Sequence, residues 1–377
     1  MEIFVGILFF MGCLLSIFIE RWPKWVLPKV FLNRSFLVEN CYVGDVLPLT
    51  WKVSNAARFP ISWIKFDTEF SPHMTVDDVV SDGKEWVDFR GISRLPAKSD
   101  LIYNYTCTFN KRGYYLFRDV KFDTVDYLGI KKYEGNLCDR LSMYVYPNIK
   151  PIDLLLDKSQ QLMGDKEVRR WIVEDPLIHV GSREYSSGDP MKSIHWNATA
   201  QTGKMQVKKF AYTTEISAML LINSQTKDHF WQGAEDELLE RMVETAASYV
   251  SRFEKNNEGY GLSSNCPIQE GASGVMISVA KGRKHYHKIF RALSQMSHYA
   301  SCGMENIIDY STRLNPRSTR MVVITGVMSD RMMAAIRLGI QKGFDFEIIT
   351  TKAVVDFWAP SSPKMIWHVF REDAHEC

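Results

Sequence analysis

The sequence predicts a β-sandwich followed by an α/β domain, behind an N-terminal transmembrane helix. An uncharged apolar run covers Ile3–Ile19, short strands alternate with turns from about residue 36 to 147, and strands alternate with helices after residue 210. A chain of 377 residues is long enough for two domains that each bury a core. The expected segments are a transmembrane anchor at 1–25, an immunoglobulin-like β-sandwich at 30–150, a linker at 151–210 and a doubly wound α/β domain at 211–377.

The N-terminal run has the composition of a membrane anchor. As a helix it would be about 25 Å long, which is near the lower limit for crossing a bilayer core. A signal peptide has positive charge before its apolar region and small residues after it, whereas here Glu2 precedes the run and ERWPKW follows it. We therefore expect an uncleaved helix that contacts membrane lipid through Ile3–Ile19. The alternative is a helix buried against the soluble domains.

The flank of the run predicts the orientation of the anchor. Trp22 and Trp25 suit the membrane interface, and basic residues follow the run at Arg21, Lys24, Lys29 and Arg34. The positive-inside rule places such a flank in the cytoplasm. We expect a single-pass protein of the cell membrane whose soluble domains face the cytoplasm.

Charge and cysteine content exclude several classes of protein. The chain has 46 basic and 44 acidic residues, and a net charge of +2 gives too weak a field to predict nucleic-acid binding. Its seven cysteines are scattered and form no CxxC pair, so we expect neither a disulfide framework nor a zinc site. No Walker-type loop is present, and we expect no bound nucleotide.

The strand patterns differ between the two halves. In the first half, Leu101, Tyr103 and Tyr105 form one apolar face against Ile102 and Asn104, as in a half-buried antiparallel strand. In the second half, the uninterrupted apolar runs Ala218–Ile222 and Met321–Thr325 predict buried parallel strands separated by helices.

The segment Arg183–Phe210 carries the most unusual pattern. Gly188-Asp189-Pro190 predicts a turn in which Asp189 caps the following helix, and Gly203 suits a left-handed helix end. A strand should then begin in which Met205 and Val207 alternate with polar residues.

This segment resembles the signature of the MoxR-associated family called domain of unknown function 58. The matching positions are Arg183, Tyr185, Gly188, Asp189, Ile194, His195, Trp196 and Ala200. Upstream, Arg112-Gly113-Tyr114, Asp126-Tyr127-Leu128-Gly129 and Val145-Tyr146-Pro147 are also similar to family turns. Lys192, Asn197 and Gln201 depart from the Arg, Lys and Arg that are usual in the family.

The resemblance implies a fold and a partner. It implies that the C-terminal domain is similar to a von Willebrand factor type A domain. It also implies that the protein works with a MoxR-type AAA+ ATPase in protein assembly, maturation or cell-envelope processes. The family has no assigned biochemical activity, so we expect a non-enzymatic adaptor; the alternative is a hydrolase or a metal-dependent enzyme.

A type A domain with an intact metal site supplies Asp-x-Ser-x-Ser after its first strand and an Asp from a later strand. The corresponding positions here are Asn223, Gln225, Lys227 and Gly326, so we expect a degenerate metal site and no cofactor. A residual site that uses Asn223, Ser224 and Thr226 is the alternative.

Other chemistry-bearing groups are weaker candidates. Ser186, Ser187, Asp189 and His195 lack the strained turn and oxyanion-hole motif of a hydrolase. The pair His285-x-His287 is expected in a solvated basic loop rather than at a metal.

The motif itself allows two interpretations. Positive residues at Arg183, Lys192, Lys204, Lys208 and Lys209 surround Trp196 and Tyr185, as in a protein interface. Equally, a buried Trp196 and a capping Asp189 would serve packing alone.

Overall fold

A computed structural model describes residues 2–76, 87–126, 129–157, 173–186, 189, 191–213, 217–227, 235–268, 274–297, 299–358 and 364–371. The chain forms two compact units. The first comprises Met1–Ile149 with Phe290–Met296, and the second comprises Lys150–Ile289 with Ser297–Cys377. The first is built mainly of β-strands and the second of mixed α/β elements, which confirms the predicted fold class at that level.

The first unit begins with a long helix and continues as strands. Its elements are α1 (Glu2–Val26), a 3-10 turn (Leu27–Lys29), β1 (Val30–Phe36), β2 (Asn40–Tyr42), β3 (Val46–Asn55), β4 (Ile61–Phe70), β5 (Met74–Val76), β6 (Val87–Leu95), β7 (Ser99–Phe109), β8 (Gly113–Leu116), β9 (Val120–Val125), β10 (Lys132–Leu137) and β11 (Ser142–Tyr146). The strands form two four-stranded sheets, β1-β3-β7-β5 and β10-β9-β4-β6, and a small sheet, β2-β11-β8.

The alternating sequence pattern explains which strand faces form the core. In β3, Leu49, Trp51 and Val53 are buried at every second position, because successive side chains of a strand point to opposite faces. In β7, Ile102 is exposed while its neighbours Leu101 and Tyr103 are partly buried, as the sequence predicted.

Helix α1 changes environment along its length. Apolar residues in its first part, such as Phe4, Phe9 and Phe10, are exposed. Near its end, Trp22 has no exposed surface and lies in the core of the first unit, where its ring is 6.1 Å from that of Tyr133. The prediction that Trp22 lies at a membrane interface is therefore wrong, because the last turns of the helix pack against the strands.

The second unit contains the remaining elements in chain order. They are α2 (Ile152–Leu155), β12 (Leu156–Asp157), β13 (Val173–Glu184), a 3-10 turn (Met191–Ser193), α3 (Trp196–Thr202), β14 (Gln206–Thr213), β15 (Ser217–Asn223), α4 (Asp236–Lys255), β16 (Gly259–Ser264), β17 (Val275–Ala280), α5 (Arg283–Gln295), α6 (Met304–Leu314), β18 (Thr319–Thr325), α7 (Asp330–Gln341), β19 (Phe346–Thr350), α8 (Lys352–Trp358) and β20 (Met365–Phe370). Helix α5 contributes its last residues to the first unit.

A seven-stranded sheet organises the second unit. Its order is β12-β20-β19-β18-β15-β16-β17, with parallel pairing from β20 to β16 and antiparallel strands at both edges. Met219 and Leu221 pack in one cluster with residues of α6 and α7. Leu220 and Ile222 alternate with them and are also buried, which explains the uninterrupted apolar run of β15.

Two expectations about this unit need correction. His285 and His287 lie in helix α5 rather than in a loop, and Nε2 of His285 is 2.7 Å from the carbonyl oxygen of Tyr260. Within the expected linker, β12 is an edge strand of the seven-stranded sheet, because Leu156 and Asp157 pair with β20. The charged stretch 164–170 lies outside the described residues.

Candidate functional site

The motif segment is built on a β-hairpin. Strands β13 and β14 are antiparallel, with Arg183 opposite Val207 and Glu184 opposite Gln206. The 3-10 turn and helix α3 lie in the connection between the two strands. The backbone N–H of Tyr185 donates to the carbonyl of Met205 at 2.9 Å, and that of His195 donates to the carbonyl of Gln206 at 2.8 Å. These bonds hold the connection against the hairpin.

Asp189 closes the first turn of the connection. Its two carboxylate oxygens accept from the Arg183 guanidinium at 2.6 and 2.7 Å, and Oδ2 also accepts from the Ser186 backbone N–H at 2.9 Å. The Arg183 hydrogen bonds, with that of Ser186, hold the pKa of Asp189 at about 2. The prediction that Asp189 caps a helix is therefore wrong. Gly188 and Pro190 of this turn lie outside the described residues.

His195 is the residue that caps helix α3. Its Nδ1 accepts from the backbone N–H of Ala198 at 3.0 Å. The helix starts later than the sequence predicts because Ile194, which is buried, forms a β-bridge with Val207 instead of a helical turn. The helix ends at Gly203, whose φ of 69° is the expected left-handed cap.

Strand β14 also differs from its predicted alternation. The strand begins at Gln206, which is buried together with Val207, whereas Met205 lies just before it and is 43% exposed. Gln206 is held by its backbone N–H, which donates to Thr199 Oγ1 at 3.0 Å. The hydrogen bond between Gln206 and Thr199 of α3 therefore accounts for the buried position of Gln206 at the start of this strand.

The motif exposes four large apolar side chains, which we call the motif patch: Tyr185, Met191, Trp196 and Met205. Trp196 is 66% exposed and Met191 is 71% exposed, so the interpretation with a buried Trp196 is wrong. Trp196 is the first helical residue after the His195 cap, and it follows the buried Ile194 by two positions.

Charged side chains border the motif patch. Lys192 and Lys208 are exposed, and so is Ala200 on α3. Lys204 Nζ lies 3.2 Å from Glu184 Oε1, and both are largely exposed. The side chain of Lys209 lies outside the described residues. The motif therefore presents apolar and basic groups to solvent side by side.

A second predicted site lies at the carboxyl ends of β15, β16 and β18, which we call the sheet edge. Asn223 is buried there, and its Nδ2 donates to Thr325 Oγ1 at 2.9 Å. Its Oδ1 accepts from the Gln225 backbone N–H at 3.1 Å and from Asn265 Nδ2 at 2.8 Å. Asn265 Oδ1 in turn accepts from the Ser224 backbone N–H at 2.9 Å. Neutral amides therefore bind one another where parallel-sheet proteins commonly hold ligands.

The residues of the sheet edge do not fit a divalent metal ion. A Cβ on Gly326 would lie 2.7 Å from Leu238 Cδ2, so a carboxylate at that position would require the Leu238 side chain to move. Thr226 Oγ1 accepts from the Glu235 backbone N–H at 2.6 Å, Gln225 Nε2 donates to the carbonyl of Lys227, and the Lys227 side chain is exposed. Among the residues that the structure describes, no cluster of three or more His, Cys, Asp or Glu side chains could hold a metal.

The residues considered as a hydrolytic set make local hydrogen bonds with different neighbours. Asp189 is engaged by Arg183 and Ser186, and His195 Nδ1 by Ala198. Ser187 lies outside the described residues.

Sequence reasoning missed a buried ionic cluster around Glu347, near the amino ends of β18 and β19. Tyr249 Oη donates to Glu347 Oε1 at 2.5 Å, His368 Nε2 lies 3.2 Å from the same oxygen, and Arg320 Nη1 lies 3.5 Å from Oε2. Burial by itself raises the pKa of Glu347, but the hydrogen bonds from His368 and Tyr249 and the charge of Arg320 bring it below its usual value. Burial and the Glu347 charge raise the pKa of Tyr249. A carboxylate inside the apolar strand FEIIT was the available signal.

Comparisons with solved structures give weak similarities to β-domains. The CARDB domain of a Pyrococcus furiosus protein in complex with di-metal ions is 10% identical, with 31% of this chain and 91% of that chain covered and a TM-score of 0.22. A non-cellulosomal cohesin from Archaeoglobus fulgidus is 11% identical, with 29% and 92% covered and a TM-score of 0.21.

A search of the curated proteins found no match. The family model described as "Protein of unknown function DUF58" matches residues 181–350, a range that begins in β13 and includes both the motif patch and the sheet edge.

Proposed function

We propose that this protein is a membrane-anchored, non-enzymatic adaptor that works with a MoxR-type AAA+ ATPase in protein assembly, maturation or cell-envelope processes. The motif patch is the observation that carries the proposal. Trp196 and three other large apolar side chains are exposed within the part of the chain that matches the DUF58 model.

The composition of the motif patch supports a role in protein binding. Tryptophan, tyrosine and methionine are enriched in the centres of interfaces, and an exposed tryptophan is the residue most often found to dominate binding energy. Lys192 and Lys208 supply a basic rim that suits an acidic partner surface. The Arg183–Asp189 pair fixes the turn before binding, which lowers the entropy cost of association.

Helix α1 supports the membrane anchor. It is the one helix in the described part of the chain that is long and apolar enough to span a membrane, and its apolar window is not buried by the protein. Arg21, Lys24 and Lys29 follow the window and favour cytoplasmic soluble units. Arg34 does not belong to this flank, because it is buried and its Nε donates to Asp139 Oδ1 at 2.9 Å.

We also propose that the domain at 211–377 is related to von Willebrand factor type A domains that have lost their metal. The largely parallel sheet and the helices packed on it support the relation. The amide network of the sheet edge supports the loss of metal, and with it a binding rather than a catalytic role.

Capture of the ATPase tests the adaptor proposal. Purified full-length protein in detergent is mixed with the MoxR-type AAA+ ATPase of the same organism, and binding of Trp196→Ala and Lys192→Glu is compared with wild type. We expect Trp196→Ala to weaken binding by about 2 kcal/mol or more, as for an interface hot spot. Phe357→Ala is the matched control, since Phe357 is an exposed aromatic residue of the same unit outside the motif. Equal binding by all three variants would show that the motif patch is not the interface.

Alkaline carbonate extraction tests the anchor. The full-length protein should stay with the membrane pellet, whereas a form that lacks residues 1–19 should not. Release of the full-length protein into the supernatant would contradict membrane insertion.

A further inference from the structure

Helix α5 begins with a cluster of exposed basic side chains. Lys281, Arg283, Lys284 and Lys288 are exposed, and none of the four has an ion-pair partner in the part of the chain that the structure describes. The sequence contains no acidic residue between Glu270 and Glu305. We call these four side chains the basic surface.

Helix stability does not explain the basic surface. The N-terminus of a helix carries partial positive charge, so acidic residues are favoured in its first turn and basic ones are disfavoured. Helices α4, α6 and α7 follow this rule with Asp236 and Glu237, Glu305, and Asp330, whereas α5 has no acidic residue in its first turn. A local conflict without local compensation is characteristic of functional positions.

The opposite side of α5 fixes the position of the basic surface. Ile289 is fully buried, and Nε2 of His285 is held against the carbonyl oxygen of Tyr260. Helix α5 therefore presents the four cations to solvent from a fixed position, and among the described residues of the unit no acidic group lies within ion-pair distance of them.

We propose that the basic surface binds the anionic headgroups of the membrane in which the protein is anchored. The inference rests on the proposed membrane anchor. A spanning helix keeps the soluble part of the chain near headgroups at high effective concentration, so weak attraction by each cation is enough for binding. Clusters of lysine and arginine on an amphipathic helix are a sequence pattern of anionic lipid binding, and α5 has such a cluster opposite its buried side. The near-neutral chain as a whole does not favour nucleic acid as the occupant.

Lysine acetylation in lipid nanodiscs tests the proposal. Full-length protein is reconstituted in discs of phosphatidylcholine alone or with phosphatidylglycerol added, and the acetylation rates of Lys281, Lys284 and Lys288 are measured by mass spectrometry. In the anionic discs we expect these rates to fall by roughly threefold or more at low salt and to recover at about 0.5 M salt, because headgroup attraction is screened. Lys352 of α8, which is also exposed, is the internal control and should react equally in both discs.

A charge-reversal pair separates lipid binding from other causes of protection. Arg283→Glu with Lys288→Glu should restore the acetylation of Lys281 and Lys284 in anionic discs. The matched control, Arg331→Glu with Lys352→Glu, reverses two other exposed cations of the same unit and should leave the protection unchanged.

The possible outcomes distinguish the two proposals. If the protein does not elute with the discs, membrane anchoring fails and the lipid proposal fails with it. If it elutes with the discs but the three lysines react equally in both, the lipid proposal alone is wrong. Protection that requires the AAA+ ATPase or RNA, and is the same in both discs, also overturns lipid binding and assigns the surface to that partner.

Discussion

The sheet edge and the motif patch were both expected to carry function, and they differ in what their side chains contact. At the sheet edge, the amides of Asn223 and Asn265 are buried and bind one another and the neighbouring backbone. At the motif patch, Trp196 and Met191 are mostly in solvent, although the connection that carries them is bonded to the hairpin through the backbone N–H of His195.

This difference shows at which of the two surfaces a partner would gain free energy by binding. A buried polar network is stable only if nearly all of its donors and acceptors are paired, so a new ligand at the sheet edge would have to break existing bonds. An exposed tryptophan loses its contact with water when a partner covers it, without breaking any bond in the free protein. This argument favours the motif patch over the sheet edge as the proposed binding surface.

The largest expected effect comes from returning a carboxylate to the sheet edge. Asn223→Asp replaces the donor to Thr325 Oγ1 and places an unpaired charge in a buried site, which should cost about 3 to 5 kcal/mol. Hydrogen exchange of β15 and β18 measures the loss of local stability. Gln225→Ala is the control, since Gln225 Nε2 donates to the exposed carbonyl of Lys227 and the Gln225 side chain takes no part in the hydrogen bonds that join Asn223, Thr325 and Asn265. Rescue of Asn223→Asp by magnesium would show a metal site that lost one ligand rather than a closed network.

The second expected effect concerns pH, to which the neutral amides of the sheet edge should not respond and the Glu347 ionic cluster at the other end of the strands should. The pKa of Glu347 is lowered in the fold, so its ionisation stabilises the fold above the ordinary carboxyl pKa, and this contribution is lost as pH falls through the folded value. Hydrogen exchange of β19 should therefore lose protection between about pH 5 and pH 3. In Glu347→Gln this acid dependence should disappear, with a loss of about 1 to 3 kcal/mol at neutral pH. Equal acid dependence in the wild type and in Glu347→Gln would show that the ionisation of Glu347 does not cause the loss of protection.

A smaller effect is expected for magnesium. If the wild-type site binds magnesium no better than millimolar, about 1 mM of the ion stabilises the second unit by less than about 0.5 kcal/mol. Calorimetry of the full-length protein in detergent measures the affinity. Micromolar binding that is lost in Asn223→Ala would reverse the comparison and make the sheet edge the functional site.

The smallest expected change in stability belongs to the motif patch. Trp196→Ala should alter the stability of the hairpin by no more than about 0.5 kcal/mol, because the side chain is mostly exposed. Hydrogen exchange of β13 and β14 measures this change. Trp22→Ala is the contrasting variant, since it empties a buried site in the first unit and should cost about 3 to 5 kcal/mol there. A comparable loss in Trp196→Ala would mean that the motif serves packing.

Local patterns predicted several strands of each unit and the left-handed end of α3. Alternation placed β7, uninterrupted apolar runs placed β15 and β18, and Gly203 marked the end of the helix. These features depend on neighbours within a few residues, so the sequence contains the information directly. The prediction of a degenerate metal site at Asn223 and Gly326 is local in the same sense, since it depends only on which residue types stand at those positions.

The beginning of the motif could not be predicted locally. Asp189 is a good helix cap by type, but Arg183 lies close enough to bind both of its oxygens, and His195 takes the capping position instead. Ile194 fits a helical face, yet its bridge to Val207 holds it in an extended backbone. Each outcome depends on the hairpin that brings β13 and β14 together.

By itself, the sequence determined the strand-rich first half, the alternating strands and helices of the second half, the apolar N-terminal helix and the neutral residues at Asn223 and Gly326, because these follow from residue type and periodicity. Tertiary structure alone decided that Trp22 is buried and Trp196 exposed, and that Glu347 meets Tyr249 and His368 from other elements. Burial and ionic partners arise where distant segments pack together, and no local pattern specifies which side chains will meet.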